Sequence, residues 1–364
     1  MQREIGSNFW LDPHESMEDK PIGTPAQFGC NGSDYVWLST GRSAIRYVIE
    51  TCEKRGLRYG KTALLPPFTC HTVIEPFLAA GYIVNYYPVN DSLQASAEDI
   101  LTSIKKNEVS IVIYHRYYGF DTLPNIQLVC DELKSRGIYT IEDCTQCLYS
   151  SFEKSDADYY VGSIRKWTGT PDGGFAVCHT SLFESKPQRA DVDLEKAKVR
   201  ASYAKYKYLY EGKGEKNDFL MAYREAEDIL GAQKIFYKIS HTSEIVQSNL
   251  SPVELKKARR NNFKRLLKCL SEIGDVRPLF REIDDNTVPL YFPVFIDDRK
   301  SLQAFLAQHS IFAPVVWPKP ECIGNVCEDA DMAYDHLLCI PIDQRYGRDD
   351  MERISKTINN FYKQ

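Results

Sequence analysis

The 364-residue sequence predicts an α/β protein, with a large domain on a mostly parallel, helix-covered sheet and a smaller α/β domain after it. Three observations predict this. Short apolar runs alternate with amphipathic stretches through the first half, the order that makes strand–helix–strand units. A polar section rich in Lys, Glu and Tyr interrupts that alternation between residues 182 and 247. After it, one long helical period leads back to strand and helix in turn.

The elements follow in order. Residues 35–38, 62–65, 83–87, 110–114, 139–141 and 175–178 are short apolar runs suited to buried strands. Helical periods lie between them at 43–54, 73–80, 96–105 and 125–136. Ser96 with Asp99 has the form of an N-cap and a first-turn acid, and Arg136-Gly137 that of a helix stop. In the polar section, Glu211 to Glu215 reads as an exposed loop between helices that bridge domains or pack on a partner. A helix at 252–273 then leads to a strand at 290–296 and a helix at 301–309. Strands at 312–316 and 337–340 and a helix at 349–362 complete the chain. The expected division is an N-terminal segment 1–25, a large domain 26–248 that includes the helical section, and a small domain 249–364. The sequence contains no internal repeat and no low-complexity stretch.

Composition narrows the function. A net charge of -5 without a concentrated basic stripe argues against nucleic acid as a partner. The densest basic run, Lys256-Lys257-Ala258-Arg259-Arg260, falls on a helical period and reads as a solvated face. No apolar run is long enough to span a bilayer, and Met1 to Ile5 lacks the layout of a signal peptide, so a cytoplasmic location is the default. The 11 cysteines show no paired zinc knuckles; Cys144-Thr145-Gln146-Cys147 is a lone Cys-x-x-Cys, and buried reduced thiols with no metal are expected.

Three segments carry chemistry. Ser39-Thr40-Gly41-Arg42-Ser43-Ala44 follows a strand and opens a helix, where free backbone N–H groups attract a phosphate and glycine permits close approach. Ile141-Glu142-Asp143-Cys144-Thr145-Gln146 ends a buried strand, and ligands of open α/β sheets bind beyond such ends. A carboxylate there can keep a cofactor's pyridine nitrogen protonated, although Asp143 as a simple helix cap is the plainer alternative. Ser163-Ile164-Arg165-Lys166-Trp167 runs into Pro171-Asp172-Gly173-Gly174-Phe175, which sets a lysine ahead of a tight turn into an apolar strand. Taken singly, Lys166 would be a surface charge.

In this order and spacing the three segments resemble the DegT/StrS-type aminotransferases, pyridoxal phosphate (PLP) enzymes of fold type I with a mostly parallel seven-stranded sheet. Many of that family aminate nucleotide-linked keto-sugars. The resemblance extends to Leu65-Pro66-Pro67-Phe68-Thr69-Cys70, to Tyr114-His115-Arg116-Tyr117-Tyr118-Gly119, and to Leu338-Cys339-Ile340-Pro341-Ile342-Asp343. The second is similar to a His-x-Tyr-Gly stretch with one extra residue. It implies that Lys166 is the Schiff-base lysine and the proton-transfer catalyst. Asp143 would pair with the pyridinium, Gln146 with the ring hydroxyl, and Ser163, Gly41, Arg42 and Ser43 with the phosphate. Cys70 or His71 would lie near the ring, and His115 and Tyr117 on the substrate side; His115 as a packed core histidine is the alternative.

The chain also departs from the pattern. The family's phosphate serine more often stands five residues before the lysine, where this chain has Val161, while Ser163 stands three before, as in other fold-type I aminotransferases. The stretch Ser240-His241-Thr242-Ser243 lacks the Asn-x-Arg pattern through which family members take a phosphate ligand from a second subunit.

By resemblance, the expected function is amino transfer from glutamate to a nucleotide-linked keto-sugar, in a homodimer. A PLP-binding regulator or scaffold without turnover, and a PLP enzyme of another reaction type such as elimination or racemisation, are the alternatives.

Overall fold

A computed structural model of the chain describes residues 3–271 and 273–363. Met1 and Gln2, at the end read above for a targeting signal, lie outside them, as do Glu272 within the expected long helix and Gln364.

In chain order the elements run β1 (Ile5–Gly6), β2 (Asp34–Leu38), α1 (Gly41–Arg55), β3 (Thr62–Leu65), α2 (His71–Ala79), β4 (Ile83–Tyr86), α3 (Ala97–Lys106) and β5 (Ile111–His115). Next come α4 (Ile126–Ser135), β6 (Tyr139–Asp143), β7 (Tyr159–Ser163), β8 (Gly174–Cys178), α5 (Val192–Tyr206), α6 (Lys216–Gly231) and α7 (His241–Asn249). The chain finishes with α8 (Pro252–Leu270), β9 (Arg277–Pro278), β10 (Phe292–Phe295), α9 (Arg299–Gln308), β11 (Ile311–Phe312), α10 (Glu328–His336), β12 (Leu337–Ile340) and α11 (Arg348–Phe361).

The main sheet has seven strands in the order β2-β8-β7-β6-β5-β3-β4 and is mostly parallel, with β8 running against both β2 and β7. The expected α/β class with a mostly parallel sheet is the observed one. By packing, the chain forms two compact units. The first comprises Met1–Ser7, Cys52–Asp158 and Ser251–Gln364, the second Asn8–Thr51 and Tyr159–Leu250.

In the first unit, β4, β3, β5 and β6 form a parallel ladder connected through α2, α3 and α4. Such crossovers cover the sheet, so its central strands are buried along most of their length, polar residues at their ends included; all five residues of β5 are buried. The register Ile111↔Tyr139 to His115↔Asp143 sets the ends of β5 and β6 level. The same unit carries a three-stranded sheet β12-β10-β9, antiparallel throughout, and α8 packed with α11. A short parallel pair joins β1 to β11.

In the second unit, β2, β8 and β7 pair antiparallel, and α5 packs along α6. The polar section thus holds α5, α6 and α7, with a π-helical turn at Lys207–Glu211 that ends at Gly212 with φ of 63°. Among the described residues no helix is long and apolar enough to cross a membrane.

Outside the polar section, β1, β7, β9 and α10 lie where no element was expected. Strand β7, Tyr-Tyr-Val-Gly-Ser, ends in small polar residues that mask its period, yet its first four residues are buried. Helix α10 begins with three acids in its first turn. The strand expected over 312–316 is reduced to Ile311–Phe312, because Pro314 withholds a backbone donor from a ladder.

Candidate active site

The first unit positions its candidate residues on strand ends. His115 and Asp143 close β5 and β6 opposite one another in register, so their side chains share one face of the sheet. Both are buried. An Asp143 oxygen accepts the Thr145 N–H at 2.9 Å, which bends the chain into the turn that carries Gln146. Gln146 is 2% exposed, and its side-chain oxygen accepts the Tyr118 N–H at 2.6 Å. Its amide nitrogen is therefore the end left to donate, and it is buried without a hydrogen-bond partner among the described residues. An orphaned buried donor is costly, and a ring oxygen beside it would relieve the cost.

The His115–Gly119 stretch borders that turn. Arg116 turns inward and is 2% exposed, bonding Asp121 at 2.7 Å and pairing with Glu142, itself wholly buried. The second carboxylate oxygen of Glu142 accepts the Ser155 N–H at 2.9 Å. Tyr118 then takes φ of 55°, left-handed for a residue with a side chain, which aims its N–H at Gln146.

The link from β3 to α2 lies beside this. His115 Nε2 and Thr69 Oγ1 are 3.0 Å apart, and the Tyr334 hydroxyl accepts the Thr69 N–H at 2.8 Å. The Tyr117 hydroxyl donates to the Phe68 carbonyl at 2.7 Å, so it is engaged by the backbone, and the side chain is buried. The His115 ring packs edge-on against Tyr117 at 4.6 Å and Trp317 at 5.5 Å. Cys70 is half-buried with a free thiol, and His71, the first residue of α2, is exposed.

The second unit positions its candidates on turns. Thr40 caps α1: its hydroxyl oxygen accepts the Ser43 N–H at 3.0 Å, and its hydroxyl donates to Ser43 Oγ at 2.9 Å. Gly41, Arg42 and Ser43 are all half-buried at this helix start, where backbone N–H groups have no acceptor within the helix. A Cβ on Gly41 would stand 3.2 Å from the Ser163 Cβ, so the helix start and the end of β7 adjoin closely, and a side chain there would push Ser163 by a few tenths of an ångström. Lys166 is half-buried at the end of a short turn, Ile164–Lys166, that follows Ser163.

The loop from β7 to β8 is pinned at its base. The Ile164 N–H and the Ser163 hydroxyl both donate to the Gly173 carbonyl at 3.2 Å, and the Gly173 N–H donates to Ser39 at 2.7 Å. Gly173 adopts φ of 125°, which only glycine tolerates, with Ile164 packed where a side chain would go.

Sequence reading missed four residues at or beside these positions. Trp317 is a lone aromatic among prolines, Arg116 stood within the Tyr114–Gly119 stretch with no role of its own, and Tyr334 sits in helix α10, where no element was expected. Asp172 was visible only as the residue before a glycine pair. It is wholly buried, and burial pushes its carboxyl up to about 6, against the pull of its Ser243, Ser240 and Arg165 neighbours.

No family model matches the chain. A GDP-perosamine synthase from Vibrio cholerae is 27% identical over 94 residues, 26% of this chain and 25% of that one. Among solved structures, the aminotransferase PseC of Helicobacter pylori, involved in pseudaminic acid biosynthesis, superposes with a TM-score of 0.68 at 14% identity over 99% of both chains. The sugar aminotransferase CalS13 of Micromonospora echinospora gives 0.64 at 19% identity over 90% of this chain and 87% of that one. This chain thus has the fold of the DegT/DnrJ/EryC1/StrS-type sugar aminotransferases.

Proposed function

We propose that the protein is a PLP-dependent aminotransferase that moves an amino group from glutamate to a nucleotide-linked keto-sugar. The observation that carries this is the approach of Gly41 to Ser163. Within one unit it gathers a helix start, a hydroxyl and the loop bearing Lys166, the set that a phosphorylated aldehyde requires. The unsatisfied, buried Gln146 amide in the other unit supports the fit, since a ring oxygen is the acceptor it lacks.

Bound PLP supplies an aldehyde for nitrogen exchange and a ring that stores an electron pair. The residues of this chain do the rest. The Lys166 amine holds the cofactor and carries a proton between the two carbons that exchange nitrogen. The Asp143 carboxylate retains the proton on the ring nitrogen, and the Gln146 amide donates to the ring oxygen. The N–H groups of Gly41 and Arg42 bind the phosphate with the Ser43 hydroxyl, whose proton is not used on Thr40, and the Ser163 hydroxyl joins them by turning from the Gly173 carbonyl. Cys70 or His71 covers one ring face, and His115 and Tyr117 border the substrates. We also propose a homodimer, a cytoplasmic location, and an arrangement in which an N-terminal segment 1–25 and a large domain 26–248 precede a small domain 249–364.

The test begins with purified protein and PLP. The lysine-bound cofactor should absorb in the visible, borohydride should fix it on the peptide containing Lys166, and glutamate should bleach it. Lys166→Ala should bind the cofactor loosely and give neither the absorbance nor the fixed peptide. Fixation on another lysine would reassign the site. Absorbance that glutamate leaves unchanged would turn the reading to a PLP-binding regulator or to another PLP reaction.

A further inference from the structure

We propose that Asp172 is a positioning residue that locks the Lys166 loop onto helix α7 and so sets the place of the lysine amine. The inference rests on the assignment of Lys166 as the cofactor lysine, and it gives a task to the helical section that carries no readable motif.

The loop leaves β7 after Ser163 and returns to β8 at Gly174, with Lys166 near one end and Asp172 at the other. Its base is closed by hydrogen bonds on Gly173, but those fix only where the loop begins and ends. The far side is held by Asp172. One carboxylate oxygen accepts the Ser240 hydroxyl at 2.7 Å and the Ser243 hydroxyl at 2.6 Å, and the Ser240 N–H reaches both oxygens at 3.1 and 3.2 Å. The Asp172 N–H in turn donates to Ser243 Oγ at 3.1 Å. Asp172, Ser240 and Ser243 are all 0% exposed.

Three features mark this as a lock and not incidental packing. Every contact onto the carboxylate is a donor, so a carboxylate fits, whereas an amide with its oxygen toward the two hydroxyls would set its own N–H groups against the Ser240 N–H at the second oxygen. The donors sit at the start of α7, where Ser240 is the N-cap, so the helix dipole favours a negative partner. The segment engaged is Ser240-His241-Thr242-Ser243, and both of its serines are spent inside the chain on the loop.

A second contact holds the lysine's neighbour. Arg165 bonds Glu227 of α6 at 2.6 Å, and Glu227 also pairs with the buried Lys198 of α5. Arg165 and Lys198 both exert a charge on Asp172. The loop is therefore tied directly to α6 and α7 and, through Glu227, to α5, and the tie to α7 is made through the wholly buried Asp172.

The test measures the rate at which PLP becomes covalently attached to Lys166 in the full-length protein, by absorbance and by borohydride fixation with peptide mapping. Backbone hydrogen exchange over residues 164–172 is followed alongside. Asp172→Asn is expected to slow attachment at least tenfold and to speed loop exchange, while circular dichroism shows the fold retained. Ser240→Ala with Ser243→Ala, which leaves the carboxylate and the Ser240 N–H but removes both hydroxyl donors, is expected to do the same, and Ser240→Thr, which keeps a hydroxyl, to attach at the unaltered rate. Attachment at the unaltered rate in both Asp172→Asn and the double serine variant would overturn the proposal. If Asp172→Asn does not fold, the serine variants decide alone. Fixation away from Lys166 in the unaltered protein would refute the assignment beneath the proposal, an outcome distinct from either rate.

Discussion

The two units seat their share of the candidate site in different ways. In the first, Asp143 and His115 stand at the ends of adjacent parallel strands, and the backbone ladder sets their spacing before any side chain acts. In the second, Lys166 lies on a loop, and its place depends on side chains: a buried carboxylate, two serines, and an Arg165–Glu227–Lys198 cluster. Strand-borne geometry should withstand loss of nearby charges, whereas loop-borne geometry should not. A carboxylate that must keep a fixed ring nitrogen protonated suits the first; an amine that must move between two carbons suits the second.

Arg116→Met is the hardest test of the comparison. It strands Glu142 as a buried charge, and removal of one partner of such a pair costs about 3–5 kcal/mol. Denaturant unfolding should show that loss, while the folded fraction should attach PLP at the unaltered rate because the β5–β6 ladder remains. A slowed attachment would mean that strand ends, too, depend on their charges. Asp143→Asn should have the next largest effect. Attachment should persist, and the half-reaction with glutamate, followed by stopped-flow absorbance, should slow by about 100-fold, roughly 3 kcal/mol in the barrier.

The smallest effect concerns pH. Burial lowers the Lys198 ammonium to about 8, with the Arg165 charge adding to the effect against the pull of Glu227. The folded chain therefore binds fewer protons at this site than the unfolded chain between about pH 8 and the ordinary lysine value. Stability from this group rises as pH climbs through that window and is absent below it. Lys198→Met should flatten the stability–pH curve there by about 1–3 kcal/mol, as read from urea midpoints at pH 7 and pH 10. An unchanged slope would place the web outside the loop's energetics.

What could be read from sequence follows the same division. Strands β3 and β12 are continuous apolar runs bounded by turn residues, and their ends were visible residue by residue. The Ser96 cap is present, with its hydroxyl oxygen accepting the Asp99 N–H at 3.1 Å. Helix α1 begins at Gly41, two residues before the apolar period shows, because a helix start is made by a cap and carries no periodic signal. The loop's ties were not legible. Asp172, Ser240 and Ser243 are small polar residues whose burial is decided by a contact 68 to 71 positions apart along the chain. Arg116 and Trp317 were hidden likewise: a charge within a polar-looking turn and an aromatic between prolines show no period, and only the packed fold turns them inward.

A crystal structure of the protein soaked with PLP tests the central claim most directly. The account predicts one ring with its nitrogen about 3 Å from an Asp143 oxygen, its former aldehyde carbon joined to the Lys166 Nζ, and its phosphate at the start of α1. A phosphate at the start of α1 with the ring turned away from Asp143, or a ring bound with Lys166 unattached, would contradict it.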